Sequence, residues 1–320
     1  MLAYFQLLRL PTVFTAMADI VLGFVLTHRF VYGPLNSAQD ALLERDIGWN
    51  DAPSFFMLLA SSCCLYLAGM VFNDVFDVNQ DTAERPGRPI PSGRISSKSA
   101  FRLASILMLA GVAIAGFTSR NSLQVSFLLV LAILGYDSFL KRTWFGPIAM
   151  GSCRFLNVLL GGSISAEGFP DFPGQPLLVA AVGLGLFVTG LTLFARTEAK
   201  TSHRWHLSLA LFVMNLGFAV VVWLIVGCPN NSPVQVSLTM LCVVAFTVNR
   251  RGTRAVLDPS PANVQGSIKV LLLSLVMIDA TVIYWYSSIP GDMGYGATQA
   301  LATAALVIPA LFLSRFIPMT

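Results

Sequence analysis

Stretches of about twenty mostly apolar residues recur along the whole chain, and nothing else in the sequence constrains the fold so tightly. They fall at roughly 11–31, 54–73, 100–118, 122–140, 145–165, 177–195, 206–227, 233–249, 265–287 and 297–316. Each is close to the length at which an α-helix crosses the hydrocarbon core of a bilayer. The 122–140 and 233–249 windows are shorter or more polar, so the sequence predicts nine or ten transmembrane helices. Only 11% of the residues are charged, against about 25% in soluble globular proteins. The expectation is an all-α, polytopic membrane helical bundle forming one domain over 1–320, with no low-complexity linker. Asp19 interrupts the first window and no clean small-x-small site follows, so this window reads as a membrane helix and not a leader. Cys63, Cys64, Cys153, Cys228 and Cys242 sit in or beside apolar runs without metal-ligand spacing and read as small buried hydrophobes.

The basic residues set the orientation. With these spans, 16 Lys and Arg fall on the side of the N-terminus and only Arg29, Arg45 and Arg120 on the other, while Arg154 falls inside a span. Basic residues accumulate on the cytoplasmic side, so the N-terminus and the connectors after spans two, four and six are expected there. The same asymmetry accounts for the net charge of +4 without a nucleic-acid partner.

The densest charge follows the second window directly: N-D-V-F-D-V-N-Q-D-T-A-E-R-P-G-R-P-I-P-S-G-R, residues 73–94. Asp74, Asp77 and Asp81 are spaced i, i+3, i+7, which puts them on one face if the helix continues past the membrane surface, with Asn73 one turn before Asp77. Three carboxylates so placed repel one another unless a cation intervenes. Hard oxygen ligands of this kind suit Mg²⁺, which binds a few carboxylates together with substrate phosphates. Arg85, Arg88 and Arg94 follow at once and supply charge-assisted donors for a diphosphate. The plainer reading is a solvated loop held out of the bilayer by its charge. Helical spacing of the acids and the stiff Pro-Gly-Arg-Pro-Ile-Pro-Ser-Gly stretch at 86–93 weigh against it.

The pattern N73-D74-V-F-D77-V-N-Q-D81, then R85-P86-G-R88-P89-I-P91-S92-G93, resembles the first aspartate-rich motif of the UbiA superfamily of intramembrane prenyltransferases. Its place after the second span fits as well. The resemblance implies a helical bundle around a central cavity, Mg²⁺ as cofactor and a prenyl diphosphate as donor substrate. It further implies membrane-lipid surroundings and an acceptor that captures the allylic cation. Asp74, Asp77, Asp81 and Lys141 would then act on the diphosphate, with the three aspartates as metal ligands. Tyr136 and Lys141, in G-Y-D-S-F-L-K-R, resemble the family's Tyr-x4-Lys element, and Arg9 its basic residue before span one. Asn73, Arg85 and Arg88 complete the expected diphosphate site. Retention of this site without turnover, in a membrane carrier or assembly factor, is the alternative.

The family's second aspartate-rich motif is altered. The corresponding stretch reads A195-R196-T-E198-A-K200-T-S-H203-R204, and a gapless comparison at an offset of 121 sets Asp77 on Glu198, Asp74 on Ala195 and Asp81 on Ser202. Glu198 is therefore the candidate metal ligand on this side, with Arg196 and Lys200 as direct diphosphate contacts. His203 is a further diphosphate contact or a proton acceptor near neutral pH, or else, with Arg204 and His206, an ordinary interfacial residue. This A-R-T-E form and the D-P-S-P segment at 258–261 resemble an EboC-like branch of the superfamily.

Ionisable groups inside spans are costly and carry a functional hypothesis by default. Arg154 and Asn157, i and i+3 in G-S-C-R-F-L-N-V-L-L-G-G, either face the cavity and contact diphosphate or acceptor, or pair structurally with a buried carboxylate such as Asp19 or Asp279. Asp19 and Asp279 carry the same two readings.

Overall fold

The computed structural model describes residues 2–28, 51–164, 176–196, 202–227, 233–288 and 293–317. Glu198 and Lys200 lie outside the described residues. The described elements are all helical: α1 (Leu2–Leu7), α2 (Val13–Thr27), α3 (Ala52–Phe76), α4 (Val78–Glu84), α5 (Ser97–Thr118), α6 (Arg120–Ser138), α7 (Gly146–Gly161), α8 (Pro176–Ala195), α9 (Arg204–Gly227), α10 (Val234–Leu257), α11 (Pro261–Ser287), α12 (Met293–Ala304) and α13 (Val307–Leu313). Short 3₁₀ turns at Leu10–Thr12 and Leu140–Arg142 lead into α2 and out of α6.

Among the described residues, eight helical stretches are long and apolar enough to cross a bilayer, with α12 and α13 forming one interrupted rod over Gly294–Leu313. The 122–140 window, weak by sequence, is one of them as Arg120–Ser138. The other two rods are α7, shortened to 16 residues, and α10, whose last turns carry Arg250, Arg251 and Arg254. Long exposed apolar side chains face outward, among them Phe117, Leu109 and Phe246. In a lipid solvent that exposure carries no penalty. The chain is an integral, multi-pass membrane protein.

Each rod packs on the next along the chain, and α11 closes the ring on α2, with α7 crossing to α2 and α8 crossing to α11. Small residues let the backbones come this close. A Cβ added at Gly23 would overlap the Val158 carbonyl, and one at Gly161 would meet Ile20 O at 2.6 Å, so α2 and α7 touch backbone to backbone. That contact, of the kind small residues permit between membrane helices, brings Arg154 of α7 against Asp19 of α2.

Candidate functional site: a charged mouth over an apolar cavity

A cavity of about 470 Å³ opens inside the ring. Its mouth is lined by Arg9, Asn73, Asp77, Asp81, Arg85, Arg88, Lys141, Arg142 and Arg196, and its walls by apolar side chains including Met70, Leu129, Ile133, Met150, Leu191, Leu272 and Leu275.

The aspartate motif is built where the helix breaks at Asp77 and restarts at Val78, with Asp77 hydrogen-bonded to both sides of the break. Asp77 caps α3 with φ −97° and ψ 8°, yet its N–H still donates to Asn73 O (3.1 Å), and the Asp81 N–H donates to Asp77 O (2.8 Å). The expected single acidic face is therefore divided. Asp74 and Asp81 are buried and share Arg88, whose Nη1 lies 3.3 Å from Asp74 Oδ1 and 2.6 Å from Asp81 Oδ2. Asp77 turns instead to Lys141, with Nζ 2.7 Å from Oδ1. Arg9 completes the cluster, its Nη2 2.6 Å from Asp74 Oδ1.

Arg9 is the one non-glycine residue with a left-handed backbone among the described residues (φ 45°, ψ 48°). The conformation costs about 1 kcal/mol or more and persists only where the surroundings impose it. Thr12 imposes it here, donating both its N–H (3.0 Å) and its hydroxyl (2.8 Å) to the Arg9 carbonyl. Burial works against the charge of the guanidinium, but Asp74, with smaller help from Tyr66 and Asp81, holds its pKa above the usual value.

The other expected residues take varied places. Tyr136 lines the cavity, and Asn73 donates to Asp137 Oδ1 at 2.9 Å, bracing α3 against α6. Arg94 is a strut, bonded to Gln6 Oε1 (2.8 Å) and Gly87 O (2.6 Å), and does not line the cavity. Arg142 reads from sequence as an interfacial anchor only, yet it lines the cavity because a 3₁₀ turn follows α6 and brings consecutive basic residues round together. No helical or strand period in the sequence carries that signal. Arg196 stacks over the Trp144 ring at 5.6 Å, while His203 and His206 lie away from the cavity wall.

Deeper in, Arg154 and Asn157 line the cavity and also make the structural pairing that stood as their alternative. Arg154 Nη1 donates to Asp19 Oδ2 and to Thr15 O (3.0 Å), and Nη2 donates to Thr15 Oγ1 (3.0 Å). Asn157 Nδ2 donates to the same Asp19 oxygen at 2.7 Å, while Asn157 Oδ1 accepts from Ser62 Oγ at 2.6 Å.

Among the described residues no three Asp, Glu, His or Cys side chains converge into a ready-made metal cage. Magnesium does not need one. It keeps waters and commonly takes one or two carboxylates plus substrate phosphates, and the hard oxygens of Asp77 and Asp81 at the cavity wall fit that pattern.

A sequence model described as the UbiA prenyltransferase family matches residues 41–252. Digeranylgeranylglyceryl phosphate synthase of Sulfurisphaera tokodaii is 27% identical over 169 residues, 52% of this chain and 54% of the relative. The chain thus spans about half the length of the curated relatives it matches. A UbiA homologue from Archaeoglobus fulgidus bound to DMAPP and Mg²⁺ superimposes with a TM-score of 0.58 at 13% identity, covering 87% of this chain and 98% of the other. The apo structure of a UbiA homologue from Aeropyrum pernix K1 gives 0.58 at 19% identity, covering 85% and 96%. These two likenesses establish the fold.

Proposed function

This chain belongs to the UbiA prenyltransferase family, and on that premise we propose that it is an intramembrane prenyltransferase, passing an isoprenoid chain from a prenyl diphosphate to a hydroxyl or aromatic acceptor. One observation carries the reading: a mouth of opposed acids and bases opens directly onto an apolar cavity. A prenyl diphosphate has the same two zones, a strongly anionic head and a hydrocarbon tail.

Negative charge builds on the diphosphate as the allylic carbon–oxygen bond breaks. Arg9, Arg88 and Lys141, now paired with the aspartates, and Arg85, Arg142 and Arg196 on the same wall offset that charge through hydrogen bonds aimed at the leaving oxygens. Asp77 and Asp81, with Asp74 behind them, would hold Mg²⁺, and Glu198 is the remaining candidate ligand. When bound, the ion stabilises negative charge on the departing oxygens. Tyr136 and the apolar wall exclude water from the allylic carbon, so that the acceptor and not solvent captures it. The charge asymmetry of the connectors supports a mouth facing the cytoplasm.

The test is a product assay with a radiolabelled prenyl diphosphate and a panel of hydroxyl and aromatic acceptors in detergent or nanodiscs. Wild-type protein is expected to yield alkylated product that Asp77→Ala abolishes. Binding of the donor with no product across the panel would instead identify a carrier.

A further inference from the structure

Asp19 and Asp279 are both fully buried, with 0% exposure, on facing helices α2 and α11. Counting helix rise, Asp19 lies roughly 10 Å below Thr12, and Arg154 about 12 Å below Gly146, placing the cluster well beneath the mouth. The two carboxyl groups lie within hydrogen-bonding reach of each other. Oδ2 of Asp19 is saturated by Arg154 and Asn157, but among the described residues no donor reaches its Oδ1 or either oxygen of Asp279.

Charge counting decides what such a cluster can be. Two ionised carboxylates against one guanidinium leave a net negative charge in an apolar interior, among Ile20, Leu275 and Ile278. An uncompensated buried charge costs several kcal/mol, more than retaining a proton does. Tyr66 on α3 and Cys153 next to Arg154, the other titratable side chains near it among the described residues, add no positive charge. One proton on Asp279 removes the excess and lets its hydroxyl donate to Asp19 Oδ1. The cluster is then neutral: Arg154 against Asp19, and an acid.

Arg154 is only partly used in this arrangement. Both Nη1 hydrogens and one Nη2 hydrogen have protein acceptors, while Nε–H and the second Nη2–H have none among the described residues. Those two hydrogens form the side edge of the guanidinium plane, on a residue that lines the cavity. They suit a head with one or two adjacent oxygens. Because Asp19 already neutralises Arg154, an anionic head would bring unpaired charge to the floor and an uncharged one would not.

We propose that Arg154 and Asn157, which line the cavity, form with the buried Asp19 and Asp279 behind them a second subsite at the cavity floor, which binds the uncharged, oxygen-bearing head of the acceptor and discriminates against anionic ones. The assignment of this ligand as the acceptor rests on the prenyltransferase reading, whereas the proton and the head preference do not.

Two measurements test it without turnover. In detergent at neutral pH, the infrared carbonyl stretch of a protonated carboxylic acid is expected in wild type and lost in Asp279→Asn. The asparagine keeps a donor for Asp19 Oδ1, so this variant keeps its thermal midpoint within a few degrees. An unchanged spectrum overturns the shared proton. The second measurement is native mass spectrometry with equal dodecylglycerol and dodecylglycerol phosphate, magnesium pyrophosphate being added to compete for the mouth. The neutral probe is expected to win by at least about tenfold. Arg154→Gln should remove its adducts, and Asp19→Asn should erase the preference. Phosphate adducts that survive pyrophosphate, need Arg154 and match the neutral probe overturn the subsite. If the head preference holds but no acceptor is alkylated, the subsite stands and the prenyltransferase reading falls.

Discussion

Arg88 is the joint of the mouth, and a double-mutant cycle on it measures whether the bridge between Asp74 and Asp81 exists in solution. Arg88→Gln removes the charge that both buried carboxylates face at 3.3 and 2.6 Å. Leaving a buried charge without its partner typically costs about 3–5 kcal/mol. Arg88 is 16% exposed, and Arg9 still holds Asp74, so the cost falls somewhat below that range, at roughly 2–3 kcal/mol. Asp81→Asn alone costs less, because Arg88 keeps Asp74 and the asparagine is uncharged. Combining the two leaves no unpaired charge at position 81. The double variant should therefore sit well above the additive expectation, with a coupling of about 1–2 kcal/mol. At roughly 2–4 °C per kcal/mol for chains of this order of size, that is a recovery of several degrees in the apparent thermal midpoint in detergent. Differential scanning fluorimetry of the four proteins suffices. Additivity within about 0.5 kcal/mol would show that Arg88 and Asp81 do not share an ion pair.

Gly23→Ala should destabilise by about 1–3 kcal/mol, since its methyl meets the Val158 carbonyl and backbone there cannot yield. Gly266→Ala, in α11 with open space around the position, should instead stabilise by about 0.5–1 kcal/mol; both are read as thermal midpoints. Arg9→Gly relieves the left-handed backbone while removing the Asp74 contact, so pyrophosphate affinity measured by calorimetry with Mg²⁺ should fall about tenfold or more with little loss of stability. Arg196→Ala removes an exposed cation stacked on Trp144 and should change stability by no more than about 0.5 kcal/mol. The same substitution should weaken pyrophosphate binding, and the weakening should shrink at high salt.

Much of this architecture is legible in the chain. The apolar windows mark the rods because a bilayer demands length and apolarity, which are local properties. The aspartate motif is legible for a similar reason: its residues lie within two helical turns. The division of that motif is not. Asp77 leaves Asp74 and Asp81 because Lys141 arrives from the turn after α6, and a partner 64 residues away leaves no trace in local spacing. Arg154 shows the limit differently. Its intramembrane charge announces importance, and the sequence offers both a cavity role and a carboxylate partner. The fold makes the two compatible by pairing the guanidinium with Asp19 and Thr15 on a residue that also lines the cavity.

The ring in which each rod touches its sequence neighbour has a consequence for biogenesis. Helices that pack in chain order can assemble as they leave the ribosome, each finding its partner already in the membrane. The contacts of α7 with α2 and of α8 and α2 with α11 are among the exceptions, and the closing one, α11 on α2, spans most of the chain. Until α11 arrives, Asp19 and Arg154 stand at an open seam. A nascent chain stalled before α11 thus lacks the helix that closes the ring over the buried Asp19.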